Sequence, residues 1–209
     1  VCRRIRFHLR MHPRQQLENK FFKQGYQYIA GVDEVGRGAL AGPIVAAAVV
    51  LPRTPRLRNI RDSKSLNPQQ REHLYKRIAR VALAWSVYSL SATTIDARGI
   101  SWANREVMIQ AVTTLHLIPE FTFIDGLDQK FTFPGQSIVD GDQNVYSIAA
   151  ASIIAKVSRD AMMRMASYHY PQYAFEQHKG YGTLLHRRRL KQHGPCLWHR
   201  RSFLTNVMV

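Results

Sequence analysis

Cysteine is scarce, with Cys2 and Cys196 the only two in 209 residues. Two are too few for a disulfide framework and fit a reducing compartment, so a cytoplasmic protein is expected. Long hydrophobic runs are missing too. No stretch reaches the roughly 18 apolar residues of a membrane-spanning helix, and the longest, Pro43 to Leu51, has strand length. No repeat, low-complexity segment or separate oligomerisation segment is present, so a monomer without a membrane partner is expected. Several catalytic signatures are absent. Gly36-Arg37-Gly38 resembles a phosphate loop but lacks the Lys-Ser/Thr that completes one. There is no dinucleotide fingerprint and no Gly-x-Ser-x-Gly elbow. Cys196 with His178, His186, His193 and His199 imitates a zinc set, but the spacing is irregular and only one cysteine is available.

Acidic residues are few and unevenly placed. Lys and Arg number 30 against 14 Asp and Glu, a net charge of +16. Residues 1–26 hold seven basic residues and one acid, and residues 161–209 hold eight and one. The centre, 27–160, is nearly balanced at fifteen against twelve. Basic ends around a balanced middle predict a polyanion gripped by the periphery, and nucleic acid is the natural partner. The first ten residues are Arg-rich and acid-free and lack the apolar core of a secretory signal. A transit peptide, a start other than Met, and translated sequence upstream of Met11 all remain open for them.

The remaining pattern is that of an α/β protein. Gln15 to Gln24 reads as a short polar helix, and Tyr28 to Val32 as a strand ending at the adjacent acids Asp33 and Glu34. Pro43 to Leu51 is continuously apolar, as in a strand covered on both faces. A Gly-rich turn between the two predicts an antiparallel hairpin. Asn67-Pro68-Gln69-Gln70 is a capped helix start, followed by an apolar stripe at Leu74, Ile78, Val81 and Ala82. A strand is predicted at Ala84 to Leu90, a helix over about 101–117, and strands at Phe121 to Ile124 and Ser137 to Val139. From about Val145 the chain is apolar almost all round, the mark of a buried helix. A last helix is expected near 183–193. Hairpin strands followed by alternating strands and helices describe a sheet with mixed strand directions.

Three acidic features stand at strand ends or helix starts: Asp33-Glu34, Asp125-Gly126 and Gly141-Asp142. Taken singly, each reads as a cap or a turn. Clustered, such carboxylates cannot all stay ionised without a cation, and hard divalent ions such as Mg²⁺ or Mn²⁺ resolve the conflict. Two such ions about 4 Å apart can serve an in-line phosphoryl displacement. A basic protein with this centre suggests a nuclease.

The stretches GVDEVGRGALAGPIVAAAVVL, DSKSL, FIDG, DGDQNVYSIAAASIIAKVSRD, YPQYAFEQHKGYGT and HRRSF occur in this order. From about residue 18 to 204 the chain resembles bacterial ribonuclease HII, the type 2 ribonuclease H. The resemblance implies a ribonuclease H-like fold, a mixed five-stranded sheet flanked by helices with a small helical C-terminal part. It divides the chain into a basic leader at 1–17, a catalytic domain at 18–169 and a basic helical extension at 170–209. It implies cleavage of the RNA strand of RNA/DNA hybrids, and incision 5′ to single ribonucleotides in duplex DNA, leaving 3′-hydroxyl and 5′-phosphate ends. Two Mn²⁺ or Mg²⁺ ions would be held by Asp33, Glu34, Asp125 and Asp142. Gly36, Arg37 and Gly38 are similar to the family's ribose sensor, and Tyr181 to its junction-detecting tyrosine. Lys64, His178 and Lys179 are expected at phosphates, and Asp160 in a structural role. Two departures stand out: Ala39, where proline is usual, is expected to loosen the turn, and Ser65, where a second lysine is common, to weaken a phosphate contact. A non-catalytic binder that kept the fold is the alternative, as is a metal nuclease without ribonucleotide preference.

Overall fold

A computed structural model describes residues 13, 15–126 and 131–205, so the basic leader at 1–12 and 14, with Cys2, lies outside the described residues. β2 (Ile44–Val50) is apolar throughout because both its faces are covered. Ala47 and Val49 meet one cluster with Leu74, Ile78 and Ile153, while Ala46, Ala48 and Val50 meet another with Val107, Met108 and Ala111. β2 pairs antiparallel with β1 (Ile29–Val35) and with β3 (Ala84–Leu90). β1 pairs in parallel with β4 (Phe121–Asp125), which pairs in parallel with β5 (Gly135–Ile138). The sheet order is β3-β2-β1-β4-β5, the mixed five-stranded arrangement expected.

The helices are α1 (Gln16–Lys23), α2 (Pro68–Val81), α3 (Ala92–Arg98), α4 (Ile100–Thr113), α5 (Gly141–Asn144), α6 (Tyr146–His169), α7 (Phe175–His178) and α8 (Leu184–His193). The expected capping box starts α2: the Asn67 side chain accepts from Gln70 N at 2.9 Å and Gln70 Oε1 from Asn67 N at 3.1 Å. α6 covers one face of the sheet, and α4 the other. Glu18, buried in α1, accepts from both the backbone N and the hydroxyl of Ser147 at 2.9 Å, which docks α1 on the start of α6.

Three boundaries differ from the sequence reading. β1 runs through Asp33 and Glu34 rather than stopping before them, because β2 keeps pairing as far as Val35↔Val45. The helix expected over 101–117 is shortened at its end, and a separate helix that the sequence did not predict, α3, precedes it. Ser91 caps α3 by accepting from Thr94 N, Gly99 breaks the chain at φ +81°, and α4 ends at Thr113, where the Thr114 hydroxyl takes the Gln110 carbonyl. The last strand lies at Gly135–Ile138 rather than 137–139. Among the described residues, no helix is long and apolar enough to cross a membrane.

Candidate metal centre and its surroundings

β1 outlasts its parallel neighbour. Its pairing with β4 ends at Val32↔Ile124, so Asp33 and Glu34 stand where the chain has only β2 beside it and Asp125 closes β4. One carboxylate oxygen each from Asp33, Glu34 and Asp125 lies within 4.8 Å of the others. The cluster is braced from the backbone. Asp33 Oδ1 accepts from Glu34 N at 2.7 Å, and Asp125 Oδ1 accepts from Gly141 N at 2.7 Å and Asp142 N at 3.3 Å. Asp142 adjoins Asp125 through its backbone N–H, while its side chain pairs with Lys64 Nζ at 3.2 Å. Lys64, expected at a phosphate, therefore also places a cation on the acidic cluster.

Burial pushes the Asp33 carboxyl well above its usual range, and Glu34, Asp125 and Asp142 push it the same way. Burial, then Asp125, raises Glu34 to about 7. Burial also raises Asp125 and Asp142. A site of crowded oxygen donors that resists ionising on its own fits a hard divalent cation.

The sign of the pH effect follows. Across about pH 4.5 to 7 the native Glu34 keeps a proton that the unfolded chain releases, so its contribution to metal-free stability falls as pH rises through that window. Glu34→Gln removes this cost. The variant is expected to melt several degrees above wild type at pH 8 in chelator and to lose that advantage at pH 5. On the order of 2 kcal/mol, or about 4–8 °C, is at stake. Paired thermal melts check it, and a difference independent of pH would mean the carboxylate is not desolvated.

The turn after β1 and the loop after α7 hold the other residues expected at the substrate. In the turn after β1, Gly36 is buried with φ +91°, whereas Arg37 and Gly38 are exposed. At the position where proline is usual, Ala39 N–H donates to the Gly36 carbonyl at 3.3 Å, a bond that proline could not make. In the loop after α7, Tyr181 is half-buried, its ring within 5.9 Å of Lys156 Nζ and 5.3 Å of the Arg159 guanidinium. Lys156 also pairs with Asp160 at 2.8 Å, consistent with the structural role read for that acid. Lys179 is half-buried beside Tyr181, its Nζ bonding the Glu176 carbonyl.

His178 is the residue the structure moves away from a phosphate. It is 7% exposed, with Nε2 donating to the Tyr173 carbonyl at 2.9 Å and Nδ1 accepting from Gly180 N at 3.2 Å. With both ring nitrogens engaged, it shapes the loop instead of meeting solvent. It stacks on His186, the middle of a buried chain that the sequence reading weighed only as a zinc imitation. Cys196 N–H donates to His199 Nδ1 at 3.0 Å, which puts the proton on His199 Nε2. That atom donates to His186 Nε2 at 3.1 Å, and His186 Nδ1 donates to the Tyr181 carbonyl at 3.0 Å. Burial holds both imidazoles at about 4, so they are neutral and act as connectors. Arg159 and Arg200, both fully buried, also escaped the sequence reading. A charged residue inside the apolar run SIIAKVSRDAMM was the available signal for the first.

This fold, with convergent acids at the ends of β1 and β4, defines a metal-dependent nuclease of the ribonuclease H-like class. A family profile described as Ribonuclease HII matches residues 30–206. The chain belongs to the ribonuclease HII family, metal-dependent endoribonucleases that cleave the RNA strand of RNA/DNA hybrids. It is 44% identical over 194 residues to ribonuclease HII of Caldicellulosiruptor saccharolyticus, covering 92% of this chain and 95% of that one. It is 46% identical over 187 residues to ribonuclease HII of Chlamydia trachomatis, covering 89% and 86%. Among solved structures, ribonuclease H2 of Pyrococcus horikoshii superposes with a TM-score of 0.73 at 26% identity, over 87% of this chain and 97% of that one. Ribonuclease HII of Archaeoglobus fulgidus, solved in complex with PCNA, gives 0.72 at 26% identity, over 83% and 94%.

Proposed function

We propose that the protein cleaves RNA/DNA hybrids and also incises duplex DNA on the 5′ side of a single embedded ribonucleotide, leaving 3′-hydroxyl and 5′-phosphate ends. The observation that carries the reading is the convergence of Asp33, Glu34 and Asp125, with an exposed Gly38 in the turn that follows the first two. An added Cβ at Gly38 meets no atom within 4 Å, so packing within the protein does not require glycine there. Open space on a bare backbone in the turn after β1 suits the close approach of a sugar, whose 2′-hydroxyl both donates and accepts.

Asp33, Glu34, Asp125 and Asp142 would hold two divalent ions, Mn²⁺ or Mg²⁺. Bound there, the ions supply charge stabilisation for the attacking and leaving oxygens of an in-line displacement at phosphorus. The chain's own residues bind and orient the substrate. Gly36, Arg37 and Gly38 meet the ribose, Tyr181 packs on the neighbouring sugar, and Lys64 and Lys179 meet phosphates. The basic extension at 170–209 delivers Tyr181 to the catalytic body at 18–169. We read the enzyme as a cytoplasmic monomer, in keeping with only two cysteines in 209 residues.

The test is cleavage of duplex DNA carrying one ribonucleotide, with and without Mn²⁺ or Mg²⁺, beside an all-DNA duplex and a uniform RNA/DNA hybrid. Metal-dependent incision 5′ to the ribonucleotide, with the all-DNA duplex intact, is expected. Equal cutting of all three would remove the ribose reader. Tyr181→Ala should lower cleavage at the single ribonucleotide about tenfold more than cleavage of the hybrid, the scale of a lost stacking contact. Equal losses on both substrates would count against its junction role.

A further inference from the structure

Two guanidinium groups lie fully buried beneath the turn after β1 and the loop after α7, and neither forms an ion pair among the described residues. Among the described residues the ion pairs are Lys64–Asp142 and Lys156–Asp160, and no carboxylate pairs with Arg159 or Arg200. A desolvated cation without a counter-ion is costly unless its donors are satisfied. Main-chain carbonyls take all three nitrogens of Arg159 and two of the three of Arg200, whose Nη2 is buried without a partner. Arg159, from α6, donates Nε to the Pro43 carbonyl at 2.9 Å, Nη2 to Ala41 at 3.1 Å and Nη1 to Lys179 at 2.9 Å. Its guanidinium lies 5.3 Å from the centre of the Tyr181 ring. A Cβ on Gly36 would fall 2.1 Å from its Nε, so the turn rests directly on this side chain. Arg200 donates Nη1 to the Arg37 carbonyl at 2.8 Å and Nε to Gly42 at 3.0 Å.

The carbonyls chosen matter. Arg37, Ala41, Gly42 and Pro43 belong to the segment that begins with the proposed ribose reader, and Lys179 adjoins the proposed junction tyrosine. One planar fork reaching three carbonyls ties the two readers together. The segments also bond each other, Leu40 N and Ala41 N both donating to the Gly180 carbonyl, at 2.9 and 3.2 Å. The chain around Arg200 bonds the same turn, with Gly42 N donating to Trp198 O at 2.7 Å and Arg200 N to Leu40 O at 2.9 Å. For stability alone, an apolar side chain would fill such a space at less cost. A guanidinium adds a fixed distance between backbone strands and positive potential where a sugar–phosphate chain would lie.

We propose that Arg159 and Arg200 are positioning residues that hold the Gly36–Gly38 turn and the Lys179–Tyr181 loop at one separation, and thereby set the preference for a single ribonucleotide over a uniform hybrid. The inference rests on the substrate reading above. A lone ribonucleotide offers one register in which both readers engage together. A uniform hybrid offers many, and so tolerates a slackened spacing.

Arg159→Lys and Arg200→Lys keep the charge but lose the fork. The readout is kcat/KM on the single-ribonucleotide duplex divided by kcat/KM on the hybrid, with Mn²⁺ affinity measured beside it. Each variant is expected to lower that ratio at least tenfold with Mn²⁺ affinity unchanged. An unchanged ratio would overturn the proposal. Because either variant could fold poorly, amide hydrogen exchange of the wild type supplies a second measurement. Leu40, Ala41, Gly180 and Tyr181 should open together with equal protection, and independent opening of the two segments would also overturn it. Failure of wild type to cut at a single ribonucleotide is a different result, since it removes the substrate reading rather than the clamp.

Discussion

Asp33→Asn is expected to abolish turnover in Mg²⁺ or Mn²⁺ while leaving duplex binding largely intact. The substitution is close to a pure change of charge. Asp33 Oδ1 accepts from Glu34 N at 2.7 Å, and an asparagine carbonyl can accept the same bond, so β1 keeps its course. What is lost is one of three carboxylates whose oxygens lie within 4.8 Å of each other, and with it the charge that would hold a divalent ion. Rates should fall about 10³-fold or more, the scale on which removing one preorganised charge-stabilising group acts. Duplex affinity is carried by the basic surface and should keep its salt dependence. Single-turnover cleavage and gel shifts at two salt concentrations check both halves. Undiminished cleavage would take Asp33 out of the centre.

Gly31→Ala should damage the fold more than any surface change. Gly31 lies in β1 beneath the start of α6, and a Cβ there would fall 2.2 Å from Ser147 C and 2.4 Å from Ile148 N. Both are backbone atoms, so no side chain can swing aside. α6 must lift off the strand, opening the contact that Glu18 also ties through Ser147. A loss of about 3 kcal/mol or more is expected, which is about 6–12 °C in Tm for a chain of this size. Gly38→Ala is the matched control. With nothing within 4 Å of its Cβ it should melt with wild type. Thermal melts of the two decide it, and equal stability would mean that α6 does not cross β1 so closely.

The sequence carried much of this architecture because several signals are local. The capping box at Asn67 and Gln70 and the apolar run of β2 each follow from a few neighbouring residues. The acids are legible in the same way, at strand ends and helix starts, and the resemblance extends that reading to Tyr181. It failed where a distant partner decides the outcome. The end of β1 depends on β2 outlasting β4, so the strand passes through Asp33 and Glu34. His178 is expected at a phosphate from the resemblance, yet its two ring nitrogens bond Tyr173 O and Gly180 N inside the protein.

By itself, then, the sequence determined the element order, the three acidic positions and the basic ends, since periodicity, caps and charge are properties of adjacent residues. Only the tertiary structure decided that Asp33, Glu34 and Asp125 meet within 4.8 Å and that Asp142 holds Lys64. It alone decided that buried Arg159 joins the turn at 36–43 to the loop at 179–181 and that buried Arg200 ties the same turn to the C-terminal segment. Four of the five hydrogen bonds of these two side chains link residues more than a hundred positions apart, such as Arg159 with Ala41 and Arg200 with Arg37. A buried guanidinium is stable only where several carbonyls converge on it, and that convergence does not exist until the sheet, α6 and the C-terminal segment have packed.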